Sequence, residues 1–346
     1  MQALTDHLQS RADLDKTQIA EATEALLSES VADAEKADFL RALALKGETP
    51  GEIAAFVNAF LERAVDPGLD AESVDGPLLD VCGTGGDKLN LFNVSTGSVF
   101  ILAAAGAKVV KHGNRGITSK SGSSDVLEAL GIRIDLPPDR FCDCLRTVGA
   151  GFLFAPMYHP AFKAVVGVRG MLAQEGQRTI FNILGPLLNP VRPEYQVVGL
   201  FDENLGPVFA KILGKLGRKR AWAVHGKTET GAGMDELSSL GETRICETNS
   251  SVQSEFTIQP GTAGIESGAT VDDLKGGDAA ENAALLRGIF AGEITGPKRD
   301  IVCLNAAAGL VVTGLAEDLA PGFLQAGELI DSGGAAAVLD AWAAFE

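Results

Sequence analysis

Apolar residues recur at helical spacing from Ile19 to Leu27 and again from Phe39 to Leu45, so Met1 to about Pro67 reads as packed helices. Thr49-Pro50-Gly51-Glu52 combines a capping box with proline at the first helical position. It predicts a helix running to about Val65, ended by Asp66-Pro67-Gly68. From Leu78 the pattern changes to short apolar runs alternating with longer helical stretches. Strands are expected at Leu78 to Cys82, Lys108 to Lys111, Phe152 to Ala155, Gln196 to Leu200 and Ala221 to His225. Helices are expected between them, at Val94 to Ala105, Asp125 to Leu130, Asp139 to Val148 and Leu205 to Leu216. This alternation predicts an α/β fold around a mostly parallel sheet. Pro160 to Glu175 reads as one further helix, and Gly185 to Pro193 is too rich in Pro and Gly to be regular. Thr243 to Cys246 with Glu255 to Ile258 suggests an antiparallel addition, Ser250 to Ala269 is turn-rich, and Ala279 to Phe345 is helical.

Two of the strand ends open into unusual loops. The first reads Gly83-Thr84-Gly85-Gly86-Asp87, followed by Asn93-Val94-Ser95-Thr96-Gly97 at the start of a helix. The second reads Lys111-His112-Gly113-Asn114-Arg115-Gly116-Ile117-Thr118-Ser119-Lys120-Ser121-Gly122-Ser123. Both fall at the same end of neighbouring parallel strands, where open α/β sheets bind ligands. Glycines bring backbone N–H groups against an anion. Asn93 or Ser95 can cap the helix that follows, whose N-terminus favours negative charge. Lys111, Arg115 and Lys120 add cations. A single glycine loop reads equally well as a plain turn; two matched loops point to phosphate.

At 346 residues the chain fits two domains. Its formal charge of −17 argues against a nucleic-acid surface but not against an anionic ligand met by local cations or metal. Five cysteines without metal-ligand spacing suit a reducing compartment. No signal segment or apolar run of membrane-spanning length appears, so a cytoplasmic protein is expected, with no membrane partner. The four histidines, His7, His112, His159 and His225, are scattered and do not form a zinc site. His112 stands inside the second loop, as a base or in a positional role; His159 and His225 read as structural. Asp235-Glu236 is an adjacent carboxylate pair. Alone such a pair is ordinarily a solvated turn; beside a phosphate loop it suits Mg²⁺, a hard cation that takes oxygen ligands. Arg169 falls on the Pro160 to Glu175 helix, either as a surface residue or as a planar partner for a carboxylate. Arg178 reads as structural.

Gly83 to Asp87, Asn93 to Thr96, Lys111 to Arg115 and Ser121-Gly122-Ser123-Ser124-Asp125 resemble the anthranilate phosphoribosyltransferase family. The resemblance continues through His159-Pro160-Ala161, Arg178-Thr179-Ile180-Phe181-Asn182, Gly185-Pro186-Leu187, Asn189-Pro190 and Met234-Asp235-Glu236, and so spans nearly the whole chain in order. It implies a large domain with a mostly parallel central sheet flanked by helices, plus a small all-helical domain, of the nucleoside phosphorylase/phosphoribosyltransferase type. Residues 1–70, completed by part of 160–193, would form the small domain, and 71–346 the large donor-binding one. The implied reaction moves phosphoribosyl from phosphoribosyl pyrophosphate to the amine of anthranilate and releases pyrophosphate, with Mg²⁺ as cofactor and a homodimer as the assembly.

By the same resemblance the donor contacts are Gly83, Gly86, Asp87, Asn93, Val94, Ser95, Thr96, Lys111, His112, Gly113, Asn114, Arg115, Gly116, Ile117, Thr118, Ser119 and Ser123. The anthranilate contacts are Gly83, Asn114 and Arg169, and the metal contacts Ser95, Asp235 and Glu236. Three departures from the family pattern stand out. Leu91 replaces a hydroxyl residue, Gln174-Glu175-Gly176 lengthens the segment between Arg169 and Arg178, and the loop Lys227 to Gly233 is extended. Rival readings are a pyrimidine nucleoside phosphorylase-like enzyme and a non-catalytic nucleic-acid-binding relative. The acidic pair with the Asn93 to Thr96 run counts against the first, and the charge with the acidic pair against the second. A dinucleotide oxidoreductase is weaker still, because Lys111 stands where an acidic residue belongs.

Overall fold

A computed structural model describes residues 1–116, 120–250, 252–266 and 268–346. Ile117, Thr118 and Ser119, expected in the second loop, lie outside the described residues. Four helices lead the chain: α1 (Gln2–Gln9), α2 (Lys16–Leu27), α3 (Asp33–Lys46) and α4 (Pro50–Leu61). Capping boxes open α2 at Asp15 and α4 at Thr49, each satisfying backbone N–H groups that a helix start leaves bare. Glu52 also accepts from the Leu14 N–H at 2.9 Å and from the Lys46 ammonium at 2.6 Å. One buried carboxylate thus ties α4 to the end of α3 and to the loop that leads into α2.

The remainder alternates strand and helix, then ends in helices. In order come β1 (Leu78–Gly83), α5 (Val94–Ala104), β2 (Lys108–Gly113), α6 (Ser123–Ala129), α7 (Pro138–Val148) and β3 (Ala150–Phe154). Then follow α8 (Ala155–Tyr158), α9 (Val166–Gln174), α10 (Phe181–Leu184), β4 (Tyr195–Gly199), α11 (Gly206–Lys215), β5 (Arg220–Lys227) and β6 (Gly233–Met234). Last come β7 (Thr243–Asn249), β8 (Val252–Ile258), α12 (Ala279–Phe290), α13 (Pro297–Thr313), α14 (Leu319–Asp331) and α15 (Gly334–Ala343). The sheet order is β3-β2-β1-β4-β5-β7-β8, with β6 paired to β5. From β3 to β5 all pairs are parallel; β7, β8 and β6 add antiparallel. Strand order therefore reverses between β1 and β4, and the crevice at their carboxyl ends is the expected ligand position.

Two apolar cores flank the sheet. One packs α5, α7 and α12 to α15 on one face, with Val99, Phe100, Leu102, Leu304, Ala307 and Trp342 fully buried. Helix α13 is apolar nearly all round because α5, α14 and the sheet enclose it. The other core joins the four leading helices to α9, α10, α11 and one side of β4 and β5. Among the described residues no helix is long and apolar enough to cross a membrane, and all five cysteines are free.

Three elements differ from expectation. The single helix at Pro160 to Glu175 is a 3₁₀ turn, Pro160–Val165, running into α9; the buried Lys36 ammonium holds the Ala164 carbonyl there at 2.7 Å. Strand β8 begins at Val252, inside a stretch expected to be turn-rich, because β7 pairs with it along its whole length. Strand β5 is longer than its apolar run, since β7 pairs it from Arg220 to Gly226.

Candidate active site

The first glycine loop leaves β1 at the reversal of strand order. The Thr84 N–H donates to the Gly199 carbonyl at 2.8 Å, and the Thr84 hydroxyl accepts from the Phe201 N–H at 3.1 Å. The ends of β1 and β4 are thereby stitched together. Gly85 and Gly86 take φ of 70° and 93°, a region that favours glycine. A β-carbon at Gly83 would strike the Asp235 side chain, and one at Gly199 the Asp235 backbone. Asp235 therefore sits where any side chain at these strand ends would sit. Its Oδ2 accepts from the Gly85 N–H at 2.7 Å.

The carboxylates are brought here by a hairpin. Lys227 to Gly233 closes β5 onto β6 through Thr228 and Ala232, whose backbones bond at 2.8 Å. The extended loop is thus ordered, and it lays Asp235-Glu236 across the sheet end. Beyond them, the Asn305 amide of α13 grips both the N–H and the carbonyl of Leu237, at 2.9 and 3.0 Å. Burial, then the charge and hydrogen bond of Asp87, push the Asp235 carboxyl up to about 7. Burial, then Asp235, hold Glu236 well above the usual carboxylate range. Three carboxylates crowded at the mouth of an anion loop are an arrangement that a divalent cation relieves.

Glu236 also does what Asn93 and Ser95 were expected to do. Its Oε1 accepts from the Ser95 N–H at 3.1 Å and so caps α5. Asn93 is the residue at the helix start, but its side chain turns aside, to the Ser121 carbonyl at 3.3 Å and the Asn282 amide at 2.9 Å. Val94 and Thr96 are buried at 1% exposure, so only their backbones are in a position to face a ligand. Lys111 is not an open cation of the polar loop. It lies on β2, buried, with its ammonium donating to the Val81 carbonyl at 2.7 Å and the Ser95 hydroxyl at 3.3 Å. Desolvation lowers its pKa, against the pull of Cys82, Asp80 and Glu236. It forms a fixed internal charge beneath Ser95 and Glu236. Asp80, fully buried on β1, accepts from the Asn189 amide at 3.0 Å and from the His112 N–H at 3.4 Å. Burial raises it to about 6.

In the second loop Asp125 acts as a staple. Its Oδ2 accepts from the Gly116 N–H at 2.9 Å and the Gly122 N–H at 2.8 Å, closing the loop on itself at the start of α6. Arg115 is paired to Asp125 at 3.2 Å and Glu128 at 2.5 Å, not left open as expected. Asn114 stays exposed, its Oδ1 held by the Arg115 N–H at 2.8 Å. Gly113 lies where a β-carbon would meet the Ser123 hydroxyl, so the backbone of β2 and the first turn of α6 are in close approach.

Across the cleft, aromatic rings form a wall. His112 meets His159 edge-on at 5.3 Å, His159 meets Phe162 at 5.2 Å, and Phe162 meets Phe181 at 5.9 Å. The Arg169 guanidinium lies over Phe181 at 5.3 Å. Among the described residues Arg169 has no carboxylate partner. It is open to solvent on one side, while crowding by protein on the other lowers its pKa. His112 donates from Nδ1 to the Gly185 carbonyl, at 3.3 Å, and leaves Nε2 without a protein partner. Burial, then His159, push its pKa down to about 3. It is neutral and too weak a base to carry a proton at neutral pH, which leaves the positional role. His159 bonds through Nε2 to the Leu188 carbonyl at 2.8 Å, and His225 through Nδ1 to Leu200 at 2.8 Å. Arg178 stacks on Phe201 at 4.5 Å.

Two departures from the family pattern have structural settings. Leu91 bridges to Lys275 and packs on the core, supplying no donor. The added Glu175 forks onto Arg41 of α3 at 2.8 Å, anchoring the end of α9. Sequence reasoning misses Asp80, Asn189, Asp125 and Asn305, whose partners are mostly remote in the chain; of these, only Asp125, three residues after Gly122, carries a local signal.

The fold and site together define a transferase with an α/β domain and a helical bundle. Residues 75–336 match the family model described as glycosyl transferase family, a/b domain, and residues 2–64 the glycosyl transferase family, helical bundle domain. The chain is 42% identical over 341 residues to an anthranilate phosphoribosyltransferase of Haloferax volcanii, covering 99% of each. The crystal structure of the Thermus thermophilus enzyme of that name superposes with a TM-score of 0.89 at 39% identity, covering 99% of this chain and 98% of that one. The Saccharomyces cerevisiae enzyme in complex with PRPP and Mg superposes at 0.84 with 26% identity, covering 98% and 96%. The chain belongs to the glycosyl transferase family and, within it, to the anthranilate phosphoribosyltransferases.

Proposed function

We propose that the chain transfers the phosphoribosyl group of phosphoribosyl pyrophosphate to the amine of anthranilate, releasing pyrophosphate. The observation that carries this reading is the meeting of Asp87, Asp235 and Glu236 over a glycine loop at the strand-order reversal. Two adjacent carboxylates and a hydroxyl are an incomplete set of oxygen ligands. That suits Mg²⁺, which takes one or two carboxylates and leaves its other positions to water and phosphate. Ser95, Asp235 and Glu236 would hold it, and it would supply positive charge for the leaving pyrophosphate.

The protein's own groups then have separate tasks. Lys111 fixes the Ser95 hydroxyl and sets a positive charge beneath Glu236. The Gly85 N–H aligns Asp235. Gly83, Gly86, Asn93 and the backbone of Val94 to Thr96 flank the donor on one side, and the turn from Gly113 through Asn114 to Ser123 flanks it on the other. Arg169 pairs with the acceptor carboxylate, since a planar fork matches a planar anion. The aromatic wall takes the ring that carries the amine. That amine already carries a lone pair at neutral pH, so no strong base is required, and positioning supplies much of the rate. Without a covalent nucleophile the step is a single displacement at the anomeric carbon, through a sugar-cation-like transition state.

The same reading assigns residues 1–70 with part of 160–193 to the small domain. It also makes the protein a cytoplasmic homodimer. An acceptor panel tests the function. With phosphoribosyl pyrophosphate and Mg²⁺, anthranilate should be consumed, while aniline, benzoate and thymine should not. Turnover of thymidine with phosphate, and none of anthranilate, would overturn it.

A further inference from the structure

The exit of the first glycine loop is held by a segment outside the donor, acceptor and metal sets. The Phe92 N–H donates to the Leu274 carbonyl at 3.3 Å, the Gly276 N–H to the Asn90 carbonyl at 3.0 Å, and Leu91 bridges Lys275. A β-carbon at Gly276 would meet the Phe92 backbone and the Asn282 side chain, so glycine lets this segment come close to the loop. Asn282 stands in the first turn of α12, at 1% exposure. Its Oδ1 accepts from the Gly277 N–H at 2.8 Å. A backbone N–H only donates, so this bond fixes which end of the Asn282 amide is oxygen. Its Nδ2 is then free to donate to the Asn93 Oδ1, at 2.9 Å. That bond in turn points the Asn93 Nδ2 at the Ser121 carbonyl, 3.3 Å away. Asn93 stands at the start of α5, where the first loop ends, and Ser121 lies in the second loop. One relay of amides therefore runs from α12 through the first loop to the second.

We propose that Asn282 is a positioning residue for the donor: through Asn93 it sets the spacing of the two anion loops. The inference rests on the reading that these loops hold phosphoribosyl pyrophosphate. Truncating Asn282 leaves the half-buried Asn93 oxygen without its donor and frees the Asn93 amide to turn. The cost falls on donor binding, because Arg169 and the aromatic wall stand across the cleft. A role confined to holding the start of α12 predicts something different. Asn282→Asp keeps the oxygen that accepts from the Gly277 N–H, but presents an acceptor where Asn93 needs a donor. If the Asn93 amide turns over to meet it, its oxygen faces the Ser121 carbonyl and the link to the second loop is broken.

The test is calorimetric titration of the whole protein with phosphoribosyl pyrophosphate and Mg²⁺, together with steady-state kinetics. Asn282→Ala and Asn282→Asp should each weaken the donor about tenfold. The anthranilate KM at saturating donor should change by less than about twofold, and Asn282→Asp should melt close to the wild type. In an Asn93→Ala background the relay is already cut, so either substitution at Asn282 should cost less than about twofold more. If Asn282→Ala does not fold, Asn282→Asp in the two backgrounds carries the comparison. Unchanged donor affinity in Asn282→Asp, equal losses in both substrates, or a full loss retained in the Asn93→Ala background would overturn the inference. A wild-type protein that does not bind the donor at all would overturn the reading beneath it, and the inference with it.

Discussion

His112 offers a quantitative check on the site's electrostatics. In the unfolded chain its imidazole titrates near the ordinary value of 6.5, and in the folded protein near 3. Its folded pKa is depressed, so between these values the unfolded state binds the extra proton. Stability therefore falls as pH drops below about 6.5. From these two values His112 alone removes about 2 kcal/mol between pH 7 and pH 5. A folded pKa higher by a unit changes that figure by less than about 0.1 kcal/mol, because at pH 5 the folded imidazole is still almost wholly neutral. At 9% exposure little solvent screening applies. Asp80, raised to about 6, acts in the opposite sense over the same window, because folding raises its proton affinity. The wild-type curve therefore mixes both contributions, and the difference from His112→Gln isolates one. Glutamine keeps a donor for the Gly185 carbonyl and loses the titration. Urea unfolding of both proteins at pH 7 and pH 5 should show the variant's deficit shrinking by about 2 kcal/mol at the lower pH. The His112 Cε1–H resonance should meanwhile stay unshifted down to pH 5. A deficit constant within about 0.5 kcal/mol, or a resonance titrating near 6.5, would refute the buried neutral imidazole.

Asp235→Asn with Glu236→Gln should abolish most turnover while circular dichroism and melting temperature are kept, because the amide oxygens can still accept from the Gly85 and Ser95 N–H groups and the crowding of like charge with Asp87 is relieved; normal turnover at low Mg²⁺ would remove them from the metal site. Arg169→Ala should weaken anthranilate by about tenfold to a hundredfold or more, the worth of a charge-assisted hydrogen bond, with donor affinity unchanged; equal losses in both substrates would place Arg169 elsewhere. Asp125→Ala removes the acceptor for the Gly116 and Gly122 N–H groups and should raise the donor KM several fold, with little effect on the anthranilate KM. Phosphoribosyl pyrophosphate with Mg²⁺ should raise the melting temperature by linkage, whereas NAD and thymidine should not.

Much of the frame was readable in the residues. Leu78 to Cys82 and Lys108 to Lys111 are apolar runs ended by glycine-bearing loops, and both are parallel strands beginning at the expected residues. A local signal marked the start of α4, where proline and a capping box act within one turn. What escaped was non-local. Glu236 caps α5 from 141 residues away, so no motif near Asn93 could reveal it. Lys111 reads as a loop cation, yet strand alternation turns it inward onto Val81 and Ser95. Asp80 stands in an apolar run because Asn189, 109 residues later, satisfies it. Arg115 was expected to face ligand, but Glu128, one turn along α6 from its staple Asp125, claims it. Of strand β8 only Glu255 to Ile258 was expected; its first residues carry no buried side chain, and pairing with β7 extends the strand back to Val252.

The reaction itself is tested most directly by following both products at once. Purified protein with phosphoribosyl pyrophosphate, Mg²⁺ and anthranilate should consume anthranilate, seen as loss of its fluorescence, and release pyrophosphate mole for mole. Chelation of the metal, or omission of either substrate, should stop both signals. Pyrophosphate release without loss of anthranilate would show that the donor is merely hydrolysed, and the assignment of anthranilate as acceptor would be wrong.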